Sequence, residues 1–174
     1  KSYFEDYVIL RKGGVKVAVI GFTNANIRNW LSPELWSGMD FKSLIPSAQE
    51  LVDKVRMDEK PDVVIVATHS GVGSGDGNLL EGQGMDLFNS LSGVDFVICA
   101  HDHRPVVHKN DTICLLNAGS HCRNLGHGRL AITVRNGRIV SRVLDGELIN
   151  IDRKKVDQEM KARLAADYKA VKEF

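Results

Sequence analysis

The chain is 174 residues long, 43% hydrophobic and 26% charged, with a formal net charge of +1. That length suits one domain with a buried core, and the near-neutral balance excludes the broad basic surface that recognises a nucleic-acid polymer. No apolar run reaches the ~20 residues that a membrane-spanning helix requires, and the opening KSYFEDYVILRKGG lacks the apolar core of a signal peptide.

In chain order, YVIL, RKGG and VKVAVIGF predict two strands around a glycine turn, the second apolar enough to be buried on both faces. Residues 24–44 carry Trp30, Pro33, Trp36 and Gly38 without a sustained period and read as a long irregular connection. A helix is expected from about Pro46, with Ala48, Leu51, Val52 and Val55 on one face, ending before KPD. DVVIVATHSG then predicts a buried strand running into His69, and GVGSGDGNLLEGQG a glycine-rich loop. A short helix near Met85–Leu91 leads to a second such strand, VDFVICAHDH.

Downstream, TICLLNAG is a further strand, and RLAITV and RIVSRVL form a hairpin around Asn136-Gly137. From Asp152 as N-cap, Val156, Met160, Leu164, Tyr168 and Val171 recur at the spacing of an amphipathic helix that packs on this domain or links to another. The fold class is therefore α/β.

The repeated unit of helix, buried strand and terminal histidine carries the chemistry. In open α/β sheets, sites form at the carboxyl ends of the strands, so His69, His101 and His103 are expected to converge. If the second strand stays extended through AHDH, His101 and His103 share one side and Asp102 points away. Three imidazoles suit Zn, Mn or Fe without choosing among them. Asp76, Glu81 and Asp102 are expected as solvated loop charges or as partners orienting an imidazole, not as metal ligands.

His121 and His127, in a second glycine-rich segment, either face the same site or decorate a surface loop; His108 is expected at an exposed turn. Trp30 and Trp36 are expected to pack rather than stack on a ligand. The loop GVGSGDG lacks the Gly-Lys-Ser/Thr ending of a phosphate-cradling P-loop and reads as a flexible rim for substrate. THSGV is not a nucleophile elbow. Cys99, Cys114 and Cys122 have no C-x-x-C spacing and indicate neither a disulfide framework nor a thiolate zinc site; Cys99 is expected as a small buried hydrophobe.

VVIVATHSG, then VDFVICAHDH, then LLNAGSHCRNLGHGRLAI, together with the opening YVILRKGGVKVAVIGFT, resemble the second half of a calcineurin-like metallophosphoesterase domain, in the branch of 5'-nucleotidases and 2',3'-cyclic-nucleotide phosphodiesterases. The resemblance covers roughly residues 7–145. It implies part of a four-layer α/β/β/α sandwich over residues 1–149, followed by a packing or linking helix over 150–174, and a site of two divalent cations hydrolysing nucleotides or other small phosphate esters. By motif, His69 and His101 would bind one metal and His103 the other.

Two departures stand out. Ala100 replaces the glycine before the His-x-His motif, a change that ordinary backbone angles tolerate. The family's Asp-x-His and Gly-Asn-His motifs, which supply further ligands and the catalytic histidine, are absent. With Lys1 rather than methionine at the start, the expectation is a chain severed from its N-terminal half, with little activity alone. The resemblance implies a periplasmic or cell-surface parent. The rival readings are a non-catalytic binding module with a vestigial metal site and a mononuclear histidine-zinc hydrolase.

Overall fold

The computed structural model describes residues 4–136, 138–152 and 154–173. Strands β1 (Tyr7–Lys12) and β2 (Val15–Thr23) pair antiparallel across Gly13 and Gly14, whose positive φ angles of 59° and 82° close the two-residue turn. The connection that follows is irregular as expected, broken only by one turn of helix, α1 (Ile27–Trp30), and a 3-10 turn at Pro33–Leu35.

Helix α2 (Leu44–Glu59) starts two residues before Pro46 and stops at Lys60, whose left-handed φ of 49° precedes Pro61. Strand β3 (Val63–His69), helix α3 (Gly84–Ser90) and strand β4 (Phe96–Cys99) follow, then β5 (Pro105–Lys109) and β6 (Cys114–Ala118). One six-stranded sheet has the order β1-β2-β3-β4-β6-β5. The four inner strands are parallel and the two edge strands antiparallel.

Both faces of this sheet are covered, which is why its inner strands read as unbroken apolar runs. Ala18, Ile20, Val64, Val66, Val97 and Leu115 face α2 and α3 and are fully buried; each Val or Leu of this kind contributes about 1.5–3 kcal/mol relative to exposure. On the other face Val63, Phe96, Cys114 and Leu116 pack against Leu130, Ile132 and Leu144. Those last residues belong to a two-stranded ribbon, β7 (Asn124–Arg135) and β8 (Arg138–Asn150). Gly137 of the expected turn lies outside the described residues, but Arg135 pairs with Arg138 and Asn136 has a φ of 52°, as a two-residue turn requires. Helices, sheet and ribbon stack in the order α/β/β.

Three expectations need correction. His108 lies on β5, not at a turn, because Val106 and Val107 pair with Asn117 and Leu116 of β6. His127 lies on β7, since the glycines around it seat the ribbon on the sheet instead of forming a loop. The C-terminal helix is capped by Asp157, whose side chain accepts from the Met160 N–H at 3.0 Å, and it is divided into α4 (Gln158–Arg163) and α5 (Ala165–Glu173). Asp152 instead makes a local turn with the Lys154 N–H, and α4 and α5 bury no residue.

Candidate functional site

The four parallel strands point their carboxyl ends at one edge of the sheet, and each delivers a polar group there: Asn24 after β2, His69 at the end of β3, His101 after β4 and Asn117 near the end of β6. Parallel pairing of β3 and β4 places Thr68 beside Cys99, so the segments that follow leave the sheet side by side. Asn24 is fully buried; its side-chain amide donates to the His69 carbonyl at 2.9 Å while its oxygen accepts from the Asn26 N–H at 2.9 Å. It thereby fastens the start of the irregular connection to the strand that carries His69.

His69 and His101, 32 residues apart in sequence, meet: His101 Nδ1 lies 3.3 Å from His69 Nε2, and the rings stand edge to face with centroids 5.1 Å apart. The indole of Trp30 stacks on the other side of His101, centroids 4.8 Å apart and planes 21° from parallel. Trp30 is thus packing, as expected, but against a candidate site residue, and it is 40% exposed. Trp36 donates its indole N–H to the Leu31 carbonyl at 3.1 Å.

His103 does not join this pair. The expectation that AHDH continues as a strand fails, because β4 ends at Cys99 and both His101 (φ 101°) and His103 (φ 59°) adopt left-handed backbone angles. The histidines therefore diverge, and His103 comes next to His121, ring centroids 6.0 Å apart. Left-handed angles at non-glycine residues cost about 1–3 kcal/mol each and persist only where the surroundings impose them. Ala100 is not among the residues with positive φ, so its replacement of glycine is unstrained.

Asp102 supplies the imposing contacts. Its Oδ2 accepts from the Val72 N–H at 2.7 Å and its Oδ1 from the Asn117 side-chain amide at 2.9 Å. The turn after β4 is thereby bonded to the loop after β3 and to β6. Asp102 is neither a solvated charge nor an imidazole partner, but a tie between three strand ends. Gly71 makes room for it, since a Cβ there would meet the Asp102 carboxylate at 3.0 Å.

The glycine-rich loop is laced down: Gly71 N–H donates to the Glu81 carbonyl at 2.7 Å, Gly84 N–H to Gly71 O at 2.9 Å, and Met85 N–H to Val72 O at 2.7 Å. Gly73, at φ 69°, passes so close to the Gly82 carbonyl that a Cβ would lie 1.7 Å from its oxygen. Between this loop and the turn after β4 lies a cavity of about 360 Å³ whose walls include Ser74, Leu79, Glu81, His101, Asp102 and Arg104. Asp76 is fully exposed, its carboxyl held low by the Asn78 N–H and the Ser74 side chain. His127 pairs with Glu147 across the ribbon at 3.0 Å.

Among the described residues no group of three or more His, Cys, Asp or Glu converges as a metal site; the His69–His101 pair is two donors. Asn24, Asn117 and the role of Asp102 escaped the sequence reading, and the usable signal was that every inner strand ends in a polar residue. The three cysteines are free. Burial pushes the Cys99 thiol up to about 12, with the charge of Asp102 adding to it, so it stays protonated beside the site.

Residues 3–105 match the family model described as calcineurin-like phosphoesterase. Protein UshA of Yersinia enterocolitica is 38% identical over 68 residues, 39% of this chain and 12% of that protein. A 5'-nucleotidase of Vibrio cholerae is 38% identical over 71 residues, 41% of this chain and 13% of that protein. The chain thus spans only a small part of the length of these curated relatives. Among solved structures, the calcineurin-like phosphoesterase YfkN from Bacillus subtilis is similar in fold, with a TM-score of 0.80 at 20% identity, covering 98% of this chain and 58% of that one.

Proposed function

The chain belongs to the calcineurin-like phosphoesterase family, and from that premise we propose that it contributes metal-holding residues to a site that hydrolyses phosphate esters, nucleotides foremost. The observation that carries this is the approach of His69 Nε2 and His101 Nδ1 to 3.3 Å at the strand ends. Two imidazole nitrogens, each about 2.0–2.1 Å from one tetrahedral cation, stand roughly 3.3 Å apart. The separation of the donor pair matches that of two ligands on one ion. His69 and His101 would hold that cation and His103, on the diverging side of the turn, a second. A bound pair of divalent cations, Mn, Zn or Fe, would activate water and neutralise charge on the phosphate oxygens.

The chain's own groups do the positioning. Asp102 fixes the turn that presents His101, Asn24 anchors the strand end of His69, and Trp30 confines the His101 ring. In the reaction, water oxygen adds to phosphorus, the bond from phosphorus to the ester oxygen breaks, and that oxygen leaves with a proton as the alcohol. The remaining ligands and the proton donor would, in this reading, come from a part of the relatives' length that this chain does not span. In this reading residues 1–149 are the phosphoesterase portion, 150–174 a packing or linking segment, and the parent protein acts in the periplasm or at the cell surface. The 174 residues alone bind metal weakly and turn over little or no substrate.

The test is phosphate release from 5'-AMP and 2',3'-cyclic AMP by the protein of the complete reading frame, with EDTA or Mn²⁺, beside His101→Ala. We expect metal-dependent turnover that falls at least about 100-fold in the variant. No turnover, with metal content unchanged by His101→Ala, would return the chain to the reading of a binding module.

A further inference from the structure

The cavity beside His101 carries charge that the proposed chemistry leaves unused. About 360 Å³ is within the usual range of roughly 300–1,000 Å³ for small-molecule sites. One wall holds His101 and the other the laced loop after β3, so the cavity adjoins the candidate site and has room for the non-reacting part of a molecule held there. Three side chains on the walls differ in chemistry: Leu79 is apolar and 46% exposed, Glu81 is an acceptor, and Arg104 is a cation.

Arg104 is distinguished by its place: among the described residues no other arginine lines this cavity. Arg28, Arg56, Arg129 and Arg142 each engage a carboxylate elsewhere. The Arg104 guanidinium has no hydrogen-bond or ion-pair partner among the described residues. The nearby carboxylate of Asp102 is already taken by the Val72 and Asn117 donors. Arg104 is held at its root, since its N–H points to Asp102 Oδ1 at 3.4 Å and Pro105 opens β5 directly after it. An unpaired planar donor fork on a cavity wall suits a phosphate, which it engages through two parallel hydrogen bonds.

We infer that Arg104 is an anion-recognition residue that holds a second phosphate of the substrate, so the site favours a nucleoside diphosphate over a monophosphate. Glu81 accepts from sugar hydroxyls, which a phosphate-only ligand lacks, and Leu79 lies against the apolar part. This rests on the reading that the reacting phosphate lies at His69 and His101.

The experiment compares kcat/KM for phosphate release from ADP and from 5'-AMP by the complete protein and its Arg104→Gln, Arg104→Lys and Arg135→Gln variants. Arg104→Gln is expected to lower the ADP to AMP ratio about tenfold, and Arg104→Lys to restore part of it. Arg135→Gln, an exposed change on the ribbon, leaves the ratio as it was. An unchanged ratio in Arg104→Gln, or a wild-type protein that hydrolyses AMP but not ADP, overturns the inference and spares the phosphoesterase reading. If no ester is hydrolysed, that reading fails, and calorimetric titration with methylenediphosphonate decides the groove. Affinity about tenfold weaker in Arg104→Gln supports the anion site, and equal affinity overturns it.

Discussion

Asp102 shows how one carboxylate can set a site without touching the chemistry. Its two oxygens join the ends of β3, β4 and β6 while its neighbours on either side hold left-handed angles. Removing it frees the turn and unpairs the Val72 N–H, so Asp102→Ala is expected to weaken Mn²⁺ binding about 10–100-fold in the complete protein. Asp102→Asn keeps an oxygen for one of the two donors and should recover part of that loss. Mn²⁺ titration, with circular dichroism to verify folding, reads both variants; equal metal affinity in wild type and Asp102→Ala would dismiss the positioning role. At this scale the histidines and the buried Cys99 were legible in the sequence. The duty of Asp102 was not, because its partners Val72 and Asn117 lie 30 and 15 residues away.

At the scale of elements, the ribbon depends on two paired glycines. Gly128 and Gly146 face each other across β7 and β8, and a Cβ on them would lie 2.6 Å from the Phe96 ring and 2.5 Å from Cys114 Sγ. The absence of side chains there lets the ribbon approach the sheet closely enough to bury Phe96 and Cys114. Gly128→Ala is therefore expected to cost about 1–3 kcal/mol in urea unfolding. Gly21→Ala, in β2 with nothing within 4 Å, should change stability by no more than about 0.5 kcal/mol. Equal costs would mean that the ribbon's seat is loose. Such glycines look like loop punctuation in sequence, and only the packing distance shows them to be contact residues.

Across the whole molecule, Asp95 joins the three layers. Only 5% exposed, it accepts from the Val64 N–H of the sheet at 2.8 Å, from Arg56 of α2 at 3.3 Å and from Arg142 of the ribbon. Its removal unpairs the Val64 N–H and takes the carboxylate from two partly exposed guanidinium groups, which keep their bonds to the carbonyls of Gly93, Pro61 and Asp62. We expect Asp95→Ala to destabilise the fold by about 3 kcal/mol, with Asp95→Asn milder, by urea unfolding monitored at equilibrium. A loss below about 0.5 kcal/mol would show that each layer is held by apolar contact alone.

The sequence by itself determined the α/β alternation, the buried strands and the delivery of histidines to one edge, because apolar period and strand polarity are local properties written in consecutive residues. It also carried the family, through motifs that pair a strand with its terminal histidine. Only the tertiary structure decided that His69 and His101 meet while His103 turns away, that Trp30 lies on His101, and that Arg104 lines a cavity unpaired. These depend on backbone angles after the last strand residue and on contacts between distant segments. There a single left-handed residue redirects every side chain that follows, and hydrophobic periodicity carries no information about it.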